Sequence, residues 1–257
     1  MGKHSDLKGK RTVITGAASG IGLATAKRFI SEEAKVFVFD WNKEALEKAL
    51  LENPDLCGGV CVDVSKPEEI KTAFDQADET IDGIDILISN AGISVRMPFL
   101  DIEYEQWSKV MHINLDSMFL CAKEAIKRMK RQRSGGVVLF TASSNALWPH
   151  PLYADYNASK AGVIGLARTL ALEFAPWLRV VAVCPGYVLT PMQKEEYTPE
   201  MLETINSEIP LKRHATPEEV AGLFAYLASE EGSYFTGQAI TMDGGETSGQ
   251  FLKDLNE

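Results

Sequence analysis

The chain lacks an excess of positive charge and any long apolar run. Its 257 residues include 26 Lys and Arg against 36 Asp and Glu, a formal net charge of −10. Negative charge repels phosphate backbones and anionic lipids, so neither nucleic acid nor a membrane is the expected partner. No apolar run approaches the roughly 20 residues that span a bilayer, and the first six residues lack the apolar segment of a signal peptide. These absences predict a cytoplasmic protein.

Cysteine is scarce, and linker-type composition is missing. The four cysteines, Cys57, Cys61, Cys121 and Cys184, stand apart from the histidines without metal-ligand spacing. We therefore expect reduced thiols and no metal site. No Pro-, Gly- or Ser-rich stretch divides the chain, and no repeat is visible, so residues 1–257 are predicted to form a single domain.

Short β-branched runs alternate with helical patterns along the whole chain. The predicted strands are Arg11–Thr15, Lys35–Phe39, Val60–Val62, Ile84–Ser89, Gly136–Thr141, Arg179–Val183 and Gln238–Thr241. The predicted helices are Ile21–Ser31, Lys43–Leu51, Pro67–Ile81, Tyr104–Arg131, Tyr153–Phe174 and Pro217–Ser229. This alternation predicts an α/β fold, a Rossmann-like doubly wound parallel sheet of about seven strands with helices on both faces. Its ligand crevice lies at the carboxyl ends of the strands.

A glycine-rich turn joins the first strand to the first helix. Gly16, Gly20 and Gly22 let the backbone approach a pyrophosphate, and the N–H groups at the helix start favour its charge. Asp40 ends the second strand, where a carboxylate accepts hydrogen bonds from ribose hydroxyls and repels a 2′-phosphate. Trp41 and Asn42 follow it, with no cation on the turn. The pattern predicts a dinucleotide site that takes NAD in preference to NADP.

Tyr156 and Lys160 form an i,i+4 pair, which lies on one face of a helix. A phenol with a pKa of about 10 is a poor proton acceptor at neutral pH. Lowering that pKa by ~2–3 units requires roughly 3–4 kcal/mol, about what a cation ~4 Å away supplies at an effective dielectric near 20. Ser143, thirteen residues upstream of Tyr156, is placed to hold the substrate oxygen whose proton Tyr156 handles.

Further motifs accompany this triad in a fixed order. They are Asp63-Val64, Ser89-Asn90-Ala91-Gly92, Asn114, Tyr156-Asn157-Ala158-Ser159-Lys160 and Pro185-Gly186. With the glycine turn, they make the chain resemble the short-chain dehydrogenase/reductase family in its shorter form. The resemblance covers Lys8 to about Gly245, and one departure is Ser89, where the family usually has Asn.

The resemblance implies a catalytic role for four residues. Tyr156 is expected to be the general acid/base, Ser143 to orient and polarise the substrate oxygen, and Lys160 to lower the pKa of Tyr156 while binding the nicotinamide ribose. Asn114 is expected to hold a water that links Lys160 to solvent.

The resemblance also implies a set of NAD ligands. Asp63 and the backbone at Val64 are expected at the adenine, Pro185, Gly186 and Val188 over the nicotinamide, and Thr190 at the carboxamide. The complete predicted set is Gly16, Ser19, Gly20, Ile21, Gly22, Asp40, Asp63, Val64, Asn90, Ala91, Gly92, Tyr156, Lys160, Pro185, Gly186, Val188 and Thr190.

Two stretches are expected to shape the substrate site. Residues 145–153 follow Ser143, and residues 187–211 have the length and mixed polarity of a mobile lid. The predicted pocket residues are Ser143, Asn145, Trp148, His150, Tyr153, Tyr187 and Met192. His150 is interpreted either as a ligand of a substrate hydroxyl or carboxylate or as a rim residue. The walls fit an alicyclic alcohol or a sugar-like polyol, and the sequence does not name the substrate.

Assembly is predicted from apolar residues on the two long helices. These helices carry more apolar surface than is needed to cover one face of the sheet, which suggests a subunit interface. The residues concerned are Met118, Phe119, Cys121, Ile164, Leu166 and Leu170. The resemblance implies a homotetramer, and residues 246–257 are interpreted as a tail that crosses to a neighbour. The basic run of residues 127–133 is either a solvated helix end or a docking patch for an acidic partner.

Three functions remain open from the sequence. The leading hypothesis is an NAD-dependent oxidoreductase that interconverts a secondary alcohol and a ketone. The second is a 3-oxoacyl-carrier-protein reductase, which the basic run favours and Asp40 disfavours. The third is a nucleotide-binding sensor without catalysis, which the presence of Asn114, Ser143, Tyr156 and Lys160 disfavours.

Overall fold

The computed structural model describes residues 4–249 and contains one parallel sheet of seven strands in that range. The strands are β1 Arg11–Thr15, β2 Lys35–Asp40, β3 Gly58–Cys61, β4 Ile86–Ser89, β5 Gly136–Thr141, β6 Leu178–Pro185 and β7 Ala239–Met242. Their order is β3-β2-β1-β4-β5-β6-β7. The chain reverses direction across the sheet between β1 and β4, which opens a crevice at their carboxyl ends. The predicted doubly wound α/β fold is confirmed.

Helices cover both faces of the sheet. They are α1 Gly20–Ser31, α2 Lys43–Glu52, α3 Pro67–Ile81, α4 Tyr104–Met111, α5 Ser117–Gln132, α6 Ala154–Phe174, α7 Pro191–Glu196, α8 Pro199–Glu208 and α9 Pro217–Ala228. Side chains alternate along each strand, so Val13 joins one core cluster and Ile14 the other. Both residues are completely buried. The sheet thus separates two apolar cores.

The helix predicted over Tyr104–Arg131 is interrupted. A π-helical turn, His112–Asp116, separates α4 from α5. The side chain of Asn114 leaves this wide turn to bond the backbone of Ile93, at 2.8 Å to the amide nitrogen and 2.9 Å to the carbonyl oxygen. A hydrogen bond to a distant segment therefore accounts for a break that helical periodicity does not reveal.

The predicted lid contains two short helices, α7 and α8. Each begins with the same signal, a threonine that caps the helix followed by proline at the first helical position. The Thr190 hydroxyl accepts from Gln193 N at 3.4 Å, and the Thr198 hydroxyl accepts from Met201 N at 3.3 Å. The segment is therefore ordered by local capping.

Part of the predicted subunit interface is wrong. Met118, Cys121 and Ile164 are buried in the core of this chain, so they are not available to a neighbour. Phe119 on α5 is 47% exposed and Leu172 on α6 is 85% exposed. The predicted crossing tail lies mostly outside the described residues.

Within residues 4–249, no helix is both long and apolar enough to span a membrane.

Candidate active site

The glycine turn after β1 forms a cradle that side chains would fill. A Cβ at Gly22 would lie 2.0 Å from Gly16 O, and one at Gly16, where φ is +64°, would lie 2.8 Å from Ala91 Cα. Ser19 precedes α1, a helix of 12 residues, and its side chain makes no capping hydrogen bond. Backbone N–H groups at this helix start attract an anion. The cradle therefore fits the pyrophosphate of a dinucleotide.

Asp40 lies beside this cradle at the carboxyl end of β2. Its carboxylate accepts from Ala18 N at 2.9 Å and from Asn42 N at 3.0 Å, and the residue is 7% exposed. The neighbouring Trp41 is 74% exposed, and no cation pairs with Asp40 among the described residues. Two backbone bonds fix the carboxylate in place while leaving lone pairs for ribose hydroxyls.

The other predicted adenosine residues divide into two kinds. Asp63 is partly exposed and accepts from Ser65 N at 2.9 Å, whereas the Val64 side chain is buried in the core. The amide of Asn90 donates to Thr15 O at 3.1 Å and accepts from Thr141 Oγ1 at 3.0 Å. Asn90 therefore ties β4 to β1 and β5, so its side chain shapes the crevice from within the sheet.

Three catalytic candidates meet at the carboxyl ends of β5 and β6. The first turns of α6 carry Tyr156 and Lys160, and Ser143 follows β5. The Lys160 Nζ lies 5.7 Å from the centroid of the Tyr156 ring and donates to Thr141 O at 2.8 Å. The Ser143 side chain is close enough to the Tyr156 phenol to lower its pKa. The structure thus brings together the triad that the spacing predicted.

Gly92 permits this convergence from the side of β4. A Cβ at Gly92 would lie 3.2 Å from Asn114 Oδ1 and 3.3 Å from Lys160 Nζ. Asn114 is completely buried, and its amide nitrogen also donates to Ser159 Oγ at 3.2 Å. The amide of Asn114 is thus bonded to Ile93 and Ser159, while its oxygen faces the same glycine as the lysine.

The pKa of Tyr156 does not shift in the expected direction. Burial raises the pKa of the Tyr156 phenol, the nearby Ser143 side chain lowers it, and the net direction is upward. Burial also lowers the pKa of Lys160, to about 8. Among the described residues Ser143, and not Lys160, is the group that lowers the pKa of Tyr156.

The segment after β6 closes the crevice. Gly186 N donates to Met242 O at 3.0 Å, and a Cβ at Gly186 would lie 2.8 Å from Asp243 Cβ. Val188 is buried and pairs with Ala215. These contacts hold the backbone after Pro185 against the end of the sheet.

Thr190 meets the cradle from the same segment. A Cβ at Gly20 would lie 3.4 Å from Thr190 Cγ2. The predicted nicotinamide segment and the predicted pyrophosphate loop therefore face each other across the crevice.

An open cleft of about 660 Å³ lies between the lid and the segment after β4. Its lining residues are Ser94, Val95, Arg96, Pro98, Leu152, Met192, Glu195 and Glu196. Met192 belongs to the predicted pocket set, and Leu152, Glu195 and Glu196 fall within the two predicted stretches, residues 145–153 and 187–211. The other four follow the Asn90-Ala91-Gly92 motif, and their position at the carboxyl edge of the sheet was the signal that could have found them.

The remaining pocket candidates are not among the residues that line this cleft. His150 Nε2 lies 3.0 Å from Glu246 Oε1, and its ring packs against that of Tyr187 with centroids 6.0 Å apart. The amide of Asn145 donates to Asn157 Oδ1 at 3.0 Å, and Trp148 is 61% exposed. His150 therefore has an acidic partner that the sequence analysis did not identify.

Tyr153 connects the start of α6 to the lid. Its hydroxyl donates to Glu196 Oε1 at 2.7 Å and lies 2.5 Å from the Tyr197 hydroxyl. Its ring centroid lies 6.3 Å from that of Tyr156. The carboxylate of Glu196 is thereby held close enough to Tyr156 for its charge to raise the pKa of the phenol.

Known proteins resemble the chain over almost its whole length. A family model described as enoyl-(acyl carrier protein) reductase matches residues 16–247. The 3beta-hydroxysteroid dehydrogenase 1 of Eggerthella lenta is 38% identical over 250 residues, which cover 95% of this chain and 96% of that protein. The 3-oxoacyl-acyl-carrier-protein reductase of Thermotoga maritima is 40% identical over 243 residues, 93% of this chain and 98% of that one.

A solved structure agrees with these relatives. The 3-ketoacyl-(acyl-carrier-protein) reductase of Brucella melitensis, complexed with NADH, superposes with a TM-score of 0.88 at 32% identity. The match covers 94% of this chain and 99% of that one. Fold, motifs and relatives agree, and the chain belongs to the short-chain dehydrogenase/reductase family of nicotinamide-dependent oxidoreductases.

Proposed function

We propose that the protein interconverts a secondary alcohol and a ketone with NAD as the cofactor. The observation that carries this proposal is the cluster of Ser143, Tyr156 and Lys160 beside the glycine cradle. The cradle fits a dinucleotide, and the cluster holds a hydroxyl, a phenol and an ammonium at one end of the sheet. These groups can transfer a proton to and from a substrate oxygen, as general acid/base catalysis requires.

When bound, the nicotinamide supplies the hydride chemistry. The Ser143 hydroxyl orients the substrate oxygen, and the Tyr156 hydroxyl exchanges a proton with that oxygen. The Ser143 side chain lowers the pKa of Tyr156 and so favours its phenolate form, while the Lys160 ammonium supplies a positive charge 5.7 Å from the centroid of the tyrosine ring. Asn114, next to Lys160 at Gly92, is the proposed route by which the proton reaches solvent.

Asp40 supports NAD over NADP. Its carboxylate is fixed by Ala18 N and Asn42 N at the end of β2, the position where a 2′-phosphate would meet its negative charge. The Brucella relative was solved with NADH. Both observations favour the cofactor without the extra phosphate.

A carrier-protein reductase is the second candidate, because the Thermotoga relative is a 3-oxoacyl-acyl-carrier-protein reductase. The basic run at the end of α5 gives it little support. Arg128 pairs with Asp75, Asp78 and Glu124, Lys127 pairs with Glu124, and Arg131 pairs with Asp78. Most of the run is neutralised within the chain, so it offers an acidic carrier little free charge.

The test is an assay of NADH formation with a panel of secondary alcohols. We expect a kcat/KM for NAD well above that for NADP, and we expect Tyr156→Phe to lower kcat by about 100-fold or more while NADH binding, followed by fluorescence, is retained. Wild-type turnover in Tyr156→Phe would remove Tyr156 from the reaction. Activity confined to NADPH and a 3-oxoacyl thioester would favour the second candidate.

A further inference from the structure

We infer that Glu196 is a specificity-determining residue, which accepts a hydrogen bond from a second hydroxyl beside the reacting carbinol, so that the substrate is a neutral polyhydroxylated molecule. This inference rests on the proposed function and names the substrate class of the same site. It assigns a role to a residue of the lid that none of the family motifs contains.

The geometry starts from the lid. Glu196 is the last residue of α7 and lines the cleft. Its Oε1 accepts from the Tyr153 hydroxyl at 2.7 Å, and its Oε2 has no hydrogen-bond partner within residues 4–249. A carboxylate oxygen has more than one lone pair, so this group retains acceptor capacity toward the cleft.

The carboxylate is close to the chemistry. Tyr153 connects Glu196 to Tyr156, whose ring centroid is 6.3 Å from that of Tyr153. Burial is the largest cause of the raised pKa of Tyr156, and the negative charge of Glu196 adds to it. The Glu196 carboxylate is therefore close enough to Tyr156 for its charge to act on the phenol, and we take it to face the part of the substrate next to the reacting carbinol.

The charge of the cleft selects against other substrates. Glu195 and Glu196 line it together with a single arginine, Arg96, which is exposed at the rim. A hydrocarbon substrate would cover the Glu196 carboxylate without giving it a donor, and a buried acceptor left unpaired is unfavourable. A substrate hydroxyl supplies the donor, and a charged hydrogen bond of this kind is among the stronger ones.

The experiment compares two neutral alcohols, cyclohexanol and cyclohexane-1,2-diol, as substrates with NAD. In the wild type we expect a kcat/KM for the diol at least about 10-fold above that for cyclohexanol. In Glu196→Ala we expect kcat/KM for the diol to fall by about 10- to 100-fold, mainly through KM, while cyclohexanol oxidation changes less than about 3-fold. Glu196→Gln, which keeps an acceptor oxygen, should recover part of the diol activity.

Two controls separate this role from a structural one. Glu203→Ala removes an exposed carboxylate of α8 in the same lid and should leave both substrates unchanged. Tyr153→Phe removes the bond to Glu196 but keeps the carboxylate, so it should preserve a preference for the diol. An equal loss with both alcohols in Glu196→Ala would overturn the inference, since it would show that Glu196 only holds the lid.

The outcome in the wild type distinguishes the two proposals. Oxidation of cyclohexanol at least as efficient as that of the diol overturns the inference and leaves the proposed reaction standing. No NADH formation from either alcohol, together with NADPH-dependent reduction of a 3-oxoacyl thioester, overturns both.

Discussion

Lys160 places an ammonium group in the interior of the molecule. The residue is 3% exposed and donates to Thr141 O at 2.8 Å. Burial lowers its pKa from 10.5 to about 8, so the unfolded chain holds this proton more tightly than the folded one. Below pH 8 both states are protonated and the full penalty for burying the charge applies. The penalty shrinks as the pH rises from about 8 towards 10.5.

At the residue scale we therefore expect Lys160→Met to lose activity without losing stability. Below pH 8 its free energy of unfolding should exceed that of the wild type by about 1–2 kcal/mol, after allowing for the lost bond to Thr141 O. Between pH 8 and 10.5 the difference should decline. Chemical denaturation at several pH values measures it. A variant less stable than the wild type at pH 7 would contradict the expectation.

At the scale of an element, the π-helical turn His112–Asp116 depends on the hydrogen bonds of Asn114. Asn114 satisfies both backbone groups of Ile93, so truncating it leaves a donor and an acceptor without their partner. We expect Asn114→Ala to lower the free energy of unfolding by about 2–4 kcal/mol and to reduce activity. Chemical denaturation would measure the loss.

A matched variant lies two residues away. Asp116 is half-exposed in the same turn, and its contact with His112 at 3.7 Å is at the surface. Asp116→Ala should change stability by less than about 0.5 kcal/mol. Equal losses in the two variants would mean that the turn, and not the bond to Ile93, determines stability.

The elements show which features a sequence pattern can predict. Strand periodicity located β1 within its true bounds, whereas the fourth strand was predicted from Ile84 and begins at Ile86. Instead, the backbone N–H of Ile84 donates to Gln132 Oε1 at 2.8 Å. Such a partner is 48 residues away in sequence and leaves no local signal.

The candidate site also has some features that the sequence predicted and others that it did not. The spacing of Ser143, Tyr156 and Lys160 was enough to predict their convergence, because two of them share a helix face. The partners of the pocket residues were not predictable: Glu246 is 96 residues from His150, and Glu196 is 43 residues from Tyr153. The capping threonines of α7 and α8 were visible in the sequence and were missed.

At the scale of the whole molecule, we propose that four copies of the chain form a tetramer. Leu172 is 85% exposed on α6 and Phe119 is 47% exposed on α5, the helices expected to meet a second subunit. We expect light scattering to give four times the chain mass of 28.2 kDa and Leu172→Glu to lower that mass. Leu51→Glu, on α2, where the leucine is 84% exposed, should leave it unchanged. A monomeric wild type would contradict the proposal.

Thr190 belongs to two parts of the molecule at once. Its methyl group faces Gly20 in the phosphate cradle, and its hydroxyl starts α7, the helix that ends at Glu196. A nucleotide bound in the cradle would therefore lie beside the start of α7, the helix that forms one wall of the substrate cleft. We therefore expect ordered binding, in which the coenzyme binds before the alcohol and dissociates last, because the bound coenzyme sets the geometry of the substrate cleft.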